Sequence, residues 1–203
     1  METTPAAPLS IAPGTPMGGG FYAGLVKISG QVYALVIAPK ATGETKGSWH
    51  KDYADVPGAK HYDDGRANTR AMAEAGCPLA AWALTLKIDG VDDWYLPSQD
   101  ELEICYRNLK PTEDENHCYA RSGINLAAPE LTRPYTPEMP AQTTAEAFKE
   151  GGLEAFDPAW YWSSSQHATD SDFAWGQRFL GGYQDSFLKS YEGRARAVRR
   201  FPI

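Results

Sequence analysis

The stretch AWYWSSSQHATDSDFAWGQRF, Ala159–Phe179, sets Ser163, Ser164 and Ser165 close to His167, Asp170 and Asp172. A hydroxyl, an imidazole and a carboxylate are the parts of an acyl-transfer site. A serine nucleophile needs its base within hydrogen-bond reach, and it usually sits on a strained turn flanked by glycines. These serines lie in an aromatic β run without a flanking glycine. They read as strand residues whose hydroxyls satisfy backbone groups where a sheet meets a loop. No catalytic residue is assigned.

Other chemistry-bearing residues give weaker patterns. His50, His61, His117 and His167 form no close-spaced pair. The runs Tyr62–Gly65 and Thr169–Asp172 carry paired aspartates but fall short of the ligand count of a calcium loop. No metal and no cofactor is expected. Cys77, Cys105 and Cys118 are odd in number and widely spaced, which fits free thiols made in a reducing cytoplasm. Gly18, Gly19 and Gly20 precede neither a helix start nor a lysine in register, so they are no phosphate loop. With Met17 they read as a hinge.

These residues must be positioned by a 203-residue chain with 42% hydrophobic, 12% aromatic and 22% charged residues, enough for a globular core. The formal net charge of −7 argues against general binding to nucleic acid or to an anionic membrane. The basic cluster Arg194, Arg196, Arg199 and Arg200 reads as alternate strand residues paired with carboxylates. Residues 1–20 are rich in Pro, Gly and small side chains, with no basic start and no continuous apolar run, unlike a signal peptide. They read as an extended anchoring arm, and 21–203 as the domain.

Within that domain, FYAGLVKI and QVYALVIA form a hairpin turning at Ser29-Gly30. Residues 40–63 read as loop. Asp64–Gly76 predicts a helix with Ala67, Ala71, Met72 and Ala75 on one face, ended by Gly76 and Pro78. Ala80–Pro97 reads as a packed connection or short hairpin around Asp89-Gly90. Ser98 followed by Glu101 is a capping box; Leu102, Cys105, Tyr106 and Leu109 make the apolar stripe, and Pro111 stops the helix. Asp100, Glu101 and Glu103 are explained by helix capping and the helix dipole. Residues 111–142 are an irregular, proline-rich excursion, and TTAEAFKEGG a short capped helix. WYWSSSQ, FAWGQRFLGG, YQDSFLKS and RARAVRRF are closing strands, the middle two turning at Gly181-Gly182. The fold class is α+β, with two main helices on a mostly antiparallel sheet and long irregular loops.

The segments DWYLPSQDELEICY, AFKEGGLEAFDPAWYWSSS, AWGQRF and RAVRRF resemble the C-terminal domain family of the Legionella collagen-like adhesin, over roughly residues 21–203. That family's pattern is a Trp-Arg-Leu-Pro step into a capped helix, a Tyr-Trp-Ser-Ser strand and a final Val-Arg strand. Tyr95 departs from the arginine of the first step, and Ser165 stands where threonine is common. The resemblance implies a C-type-lectin-like fold used to display a binding surface in bacteriophages and on bacterial surfaces. The calcium-binding sugar motifs and usual disulfides of true C-type lectins are missing from the sequence, so calcium-dependent sugar binding is not carried over.

Trp160, Trp162 and Trp175 read as core or sheet-face residues. The expected ligand-binding face is Gly181–Gly193, where Tyr183, Gln184, Asp185 and Tyr191 offer rings and planar polar groups for a glycan or protein epitope. A solvated hairpin loop accounts equally for these residues. The resulting expectation is a non-enzymatic bacteriophage virion protein, recognising host-surface glycan or protein at a tail fibre or tail tip. It would be anchored to other virion proteins by its arm, homo-oligomeric, and without membrane insertion. A capsid decoration protein and a bacterial surface adhesin are the alternatives. A relative of the formylglycine-generating oxidases, with Cys105 and Cys118 as its cysteine pair, is the enzymatic one.

Overall fold

The computed structural model describes residues 11–119 and 121–203. It is α+β, with four helices and two mostly antiparallel sheets among the described residues. Strands β1 (Pro16–Met17), β2 (Gly20–Ile28) and β3 (Gln31–Ile37) open the chain. Ser29 and Gly30 both take positive φ, as the two-residue β2–β3 turn requires. Helix α1 (Lys40–Gly43) and strand β4 (Glu44–Ser48) follow, so residues 40–63 are not all loop. The polar sequence of β4, Glu-Thr-Lys-Gly-Ser, hides a strand that exists because β8 pairs with it.

Helix α2 (Gly65–Glu74) is capped by Asp64, whose carboxylate accepts from the Ala67 amide. Helix α3 (Pro78–Thr85) was expected as a connection. Pro78 starts this helix as well as following the previous one, and the segment is too uniformly apolar to show a helical period. The Asp89-Gly90 turn is present, bridging Ile88 and Val91. Helix α4 (Gln99–Leu109) forms both bonds of its capping box. The expected helix around Ala145 is only a single 3-10 turn, Glu146–Phe148, because the backbone turns extended at Lys149.

Strands β5 (Trp160–Gln166), β6 (Phe173–Arg178), β7 (Gln184–Leu188), β8 (Glu192–Arg196) and β9 (Val198–Pro202) complete the fold. The sheets run β1-β2-β3-β9 and β4-β8-β5-β6-β7, and the β5–β8 pairing is parallel. The final RARAVRRF run is therefore two strands in two sheets, divided at Ala197, whose amide donates to Gly43. The expected single sheet is corrected to two. Gly18 and Gly19, with positive φ, make the tight β1–β2 turn and are not a hinge. Residues 14–20 of the segment read as an arm are bonded to the domain, through Gly14 and Thr15 to Tyr22 and through β1 to β2. Residues 1–10 of that arm lie outside the described residues.

The second sheet separates two apolar cores. On one side Tyr161 and Phe179 pack with Leu35, Ile37, Leu102, Tyr106 and Leu109. On the other Trp162, Ala174 and Ala195 pack with Trp49, Met72, Leu79 and Ala83 of the α2–α3 layer. Adjacent residues of β5 thus feed opposite cores, as the period of two demands. The four terminal arginines are ion-paired as expected: Arg194 with Glu44 and Asp157, Arg196 with Glu154, Arg199 with Asp93, and Arg200 with Asp64 and Glu101.

Candidate functional site

The polar half of β5 is buried and occupied. Ser163 Oγ donates to Trp175 O at 2.9 Å, and Ser164 Oγ to Pro97 O at 3.1 Å. Ser165 Oγ donates to His61 O at 2.7 Å and accepts from the Gln99 amide at 3.0 Å. Gln166 Oε1 accepts from Val56 N and from Lys189 Nζ. These bonds tie β5 to the start of α4 and to the 50–61 loop, and each answers a polar group that burial would otherwise strand. His167 is turned to the 170 turn, where its Nδ1 accepts from Asp170 N, and its ring lies 5.5 Å from that of Trp175. It hydrogen-bonds none of the serines.

The thiols give no pair. Cys105 is buried in the first core, where burial raises its pKa far above the ordinary value. Cys118 is exposed and its Sγ contacts Asn116 O. Cys77 is buried, and burial pushes its thiol up to about 12. Free, protonated, buried thiols are poor nucleophiles. Among the described residues, no group of three or more His, Cys, Asp or Glu is placed to hold a metal ion.

The start of α4 holds charges that the capping reading accounts for only in part. Glu101 closes the capping box and meets Arg200 at 3.2 Å. Asp100 and Glu103 instead hold the 121–135 excursion: Arg121 reaches Asp100 at 2.5 Å, and Asn125 and Tyr135 donate to Glu103. Burial pushes the Asp100 carboxyl up to about 7, opposed by Arg121 and reinforced by the nearby charges of Glu103 and Asp63.

The other half of β5 is aromatic; Tyr161 and Trp162 are buried, and Trp160 at its start is half-buried. Trp162 is 3% exposed, its Nε1 donating to Gly47 O at 3.1 Å. Where the α2–α3 layer stops covering this face, the row of rings continues. Phe187 lies 6.1 Å from Trp162 and 4.2 Å from Trp160, centroid to centroid. Trp160 meets Tyr183 at 5.9 Å, and Tyr183 meets His117 at 5.3 Å and Tyr119 at 6.3 Å. Trp160, Phe187 and Tyr183 are half-buried, while Tyr119 and Tyr191 are 67% and 56% exposed. Tyr191 joins Trp160, Trp162 and Phe187 around a small cleft of about 70 Å3.

Glycines make this ledge possible. A Cβ on Gly193 would stand 2.7 Å from Trp162 Nε1, so a larger residue would lift the ring off the sheet. Gly182, at φ +71°, turns the chain between β6 and β7 against the Tyr106 ring, where a side chain would collide. That turn presents Tyr183, fixed by the bond from Arg178 N to Tyr183 O at 2.8 Å.

The four residues expected to bind ligand separate. Tyr183 and Tyr191 join the ring ledge. The Gln184 amide is held by Gln99 and Gln177 at 3.3–3.4 Å. Asp185 is half-buried, with Oδ1 accepting from the Ser186 amide at 2.8 Å. Sequence reasoning read Trp160 as a core or sheet-face residue, did not single out Phe187 within the Gly181–Gly193 face, and missed His117 and Tyr119, which sit in the irregular excursion. The alternation along β5 carried a signal: Trp160 and Trp162 share a face, so an end to the cover over Trp162 exposes Trp160.

A half-exposed row of rings can stack against flat or apolar ligand faces. No protein-family model matches the sequence, and no curated protein matches it.

Proposed function

We propose that this chain is a non-enzymatic recognition module of a bacteriophage virion, which docks a host-surface glycan on the Tyr119–Tyr183–Trp160–Phe187–Tyr191 ledge. The observation that carries the reading is the continuity of those half-exposed rings across strands and loops distant in sequence. Aromatic faces bind sugar rings through their apolar C–H faces, and rigid rings do so at low entropic cost.

The virion setting and a C-type-lectin-like fold rest on the resemblance to the adhesin domain family. Three elements support it: capped α4 after Trp94–Pro97, strand β5 over Tyr161–Ser164, and final strand β9 over Val198–Arg200. Residues 1–10, as part of the arm, would contact other virion proteins, and a tail-fibre location would favour a homo-oligomer.

Antibody labelling of purified phage particles tests the setting. Label at the tail tip or fibres is expected, with host adsorption falling at least tenfold when Tyr183 and Tyr191 are both replaced by alanine. Label spread over the capsid would replace host attachment with decoration. Particles that carry no label would remove the virion reading and leave the bacterial adhesin.

A further inference from the structure

Trp160 lies between two clefts. On one side is the small aromatic cleft; on the other is a polar groove of about 420 Å3 lined by Lys46, Trp160, Arg178, Glu192 and Arg194. That volume lies in the range of small-ligand clefts, roughly 300–1,000 Å3. Most of the charges in the groove are already engaged. Lys46 reaches Glu192 at 3.0 Å, and Arg194 reaches Glu44 at 3.0 Å and Asp157 at 2.6 Å. Arg196, the other arginine of this sheet, is buried against Glu154.

Arg178 differs. It is the direct cross-strand partner of Trp160. Its backbone is fixed on both sides of the β6–β7 turn, N to Tyr183 O and O from Gly182 N, each at 2.8 Å. Its half-buried guanidinium makes no side-chain hydrogen bond or ion pair among the described residues. None of its nitrogens is a buried atom left unpaired, so the guanidinium stands in the groove beside Trp160, free to meet an incoming anion. A guanidinium is a rigid fork of donors that matches a carboxylate in two parallel bonds.

From this pairing we infer that the ledge selects acidic glycans: Trp160 stacks on a pyranose ring, and Arg178 takes the carboxylate of that same residue. The inference rests on the glycan reading above and specifies its ligand class. The neighbouring carboxylate Glu192 is exposed and ion-paired with Lys46, which weakens its repulsion of the incoming anion. The ledge extending to Tyr183 and Tyr119 would take the neutral residues that follow. An acidic peptide would satisfy Arg178 but leave the flat Trp160 face without a ring to cover.

The test uses the full chain against immobilised oligosaccharides in matched pairs, a uronic-acid oligosaccharide beside its carboxyl-reduced, neutral counterpart. Binding is read by biolayer interferometry, with thermal melts confirming that each variant folds. The acidic member is expected to bind about tenfold more tightly or better, the worth of one charge-assisted contact. Arg178→Gln should bring the acidic member down to the level of the neutral one. Trp160→Ala should weaken both. Equal binding of the two members, with Trp160→Ala still weakening them, would overturn the acidic selectivity and leave glycan recognition standing. Failure of both members to bind would overturn both. Arg178-dependent binding of polyglutamate, with no sugar bound, would replace the glycan with an acidic protein partner.

Discussion

The two halves of β5 invert an ordinary expectation. Ser163–Gln166 carries the residues that look reactive, and they are buried and bonded inward. Trp160 and its ring neighbours look like core, and they line an open ledge. Residue type alone therefore misleads at both ends. Buried hydroxyls are safe where every partner is supplied, whereas rings are available where the cover over one face of a sheet stops. The polar half should govern stability, and Trp160 with its ring neighbours binding.

The strongest test of that division is Arg200→Met. Arg200 ties β9 to Asp64 and to Glu101 in the first turn of α4, the helix whose first amide Ser165 accepts from. Removing one member of a buried ion pair leaves the other uncompensated, at about 3–5 kcal/mol. Urea denaturation should show a loss of that size; a loss below about 1 kcal/mol would mean that the junction is wetter than its burial implies.

Acid–base behaviour sharpens the same contrast. The Asp100 carboxyl is held up at about 7 in the folded chain by burial, against an ordinary 3.8. Between those values the folded state binds a proton that the unfolded state does not. Asp100 therefore favours folding most at low pH, and that contribution is lost as pH rises through 7. The slope from this group is at most about 1.4 kcal/mol per pH unit. Asp100→Asn should flatten the stability profile between pH 4 and 7, measured by denaturation across that range. An unchanged slope would show that Arg121 offsets the burial.

The smallest effects come from a matched pair. Ser165→Ala leaves the Gln99 amide without its acceptor and should cost about 1–3 kcal/mol, with ligand binding unaltered. Tyr191→Ala, at a site 56% exposed, should change stability by less than about 0.5 kcal/mol while weakening binding. Calorimetry and glycan binding on both variants check the pair. A crossed result, with Ser165 affecting binding or Tyr191 affecting stability, would break the division.

Much of the framework was legible in the sequence. The β2–β3 turn at Ser29-Gly30, the ends of α2, the capping box of α4 and the ion pairing of the terminal arginines, though not their partners, follow from residue chemistry. Helix α3 was hidden because Pro78 serves as a start where it resembled a stop. Strand β4 was hidden because Glu44–Ser48 has no apolar alternation and depends on β8. Of the candidate site, Tyr183 and Tyr191 were legible; Trp160, Arg178 and Tyr119 were not.

The sequence by itself determined which segments turn, cap and alternate, because those signals act through hydrogen bonds between near neighbours. Only the tertiary structure decided that the chain changes sheet at Ala197, that three serines face inward, and that Trp160 stands beside an unpaired Arg178. Exposure and pairing belong to whatever distant segment lies alongside a residue, and no local pattern records where the cover of the α2–α3 layer ends.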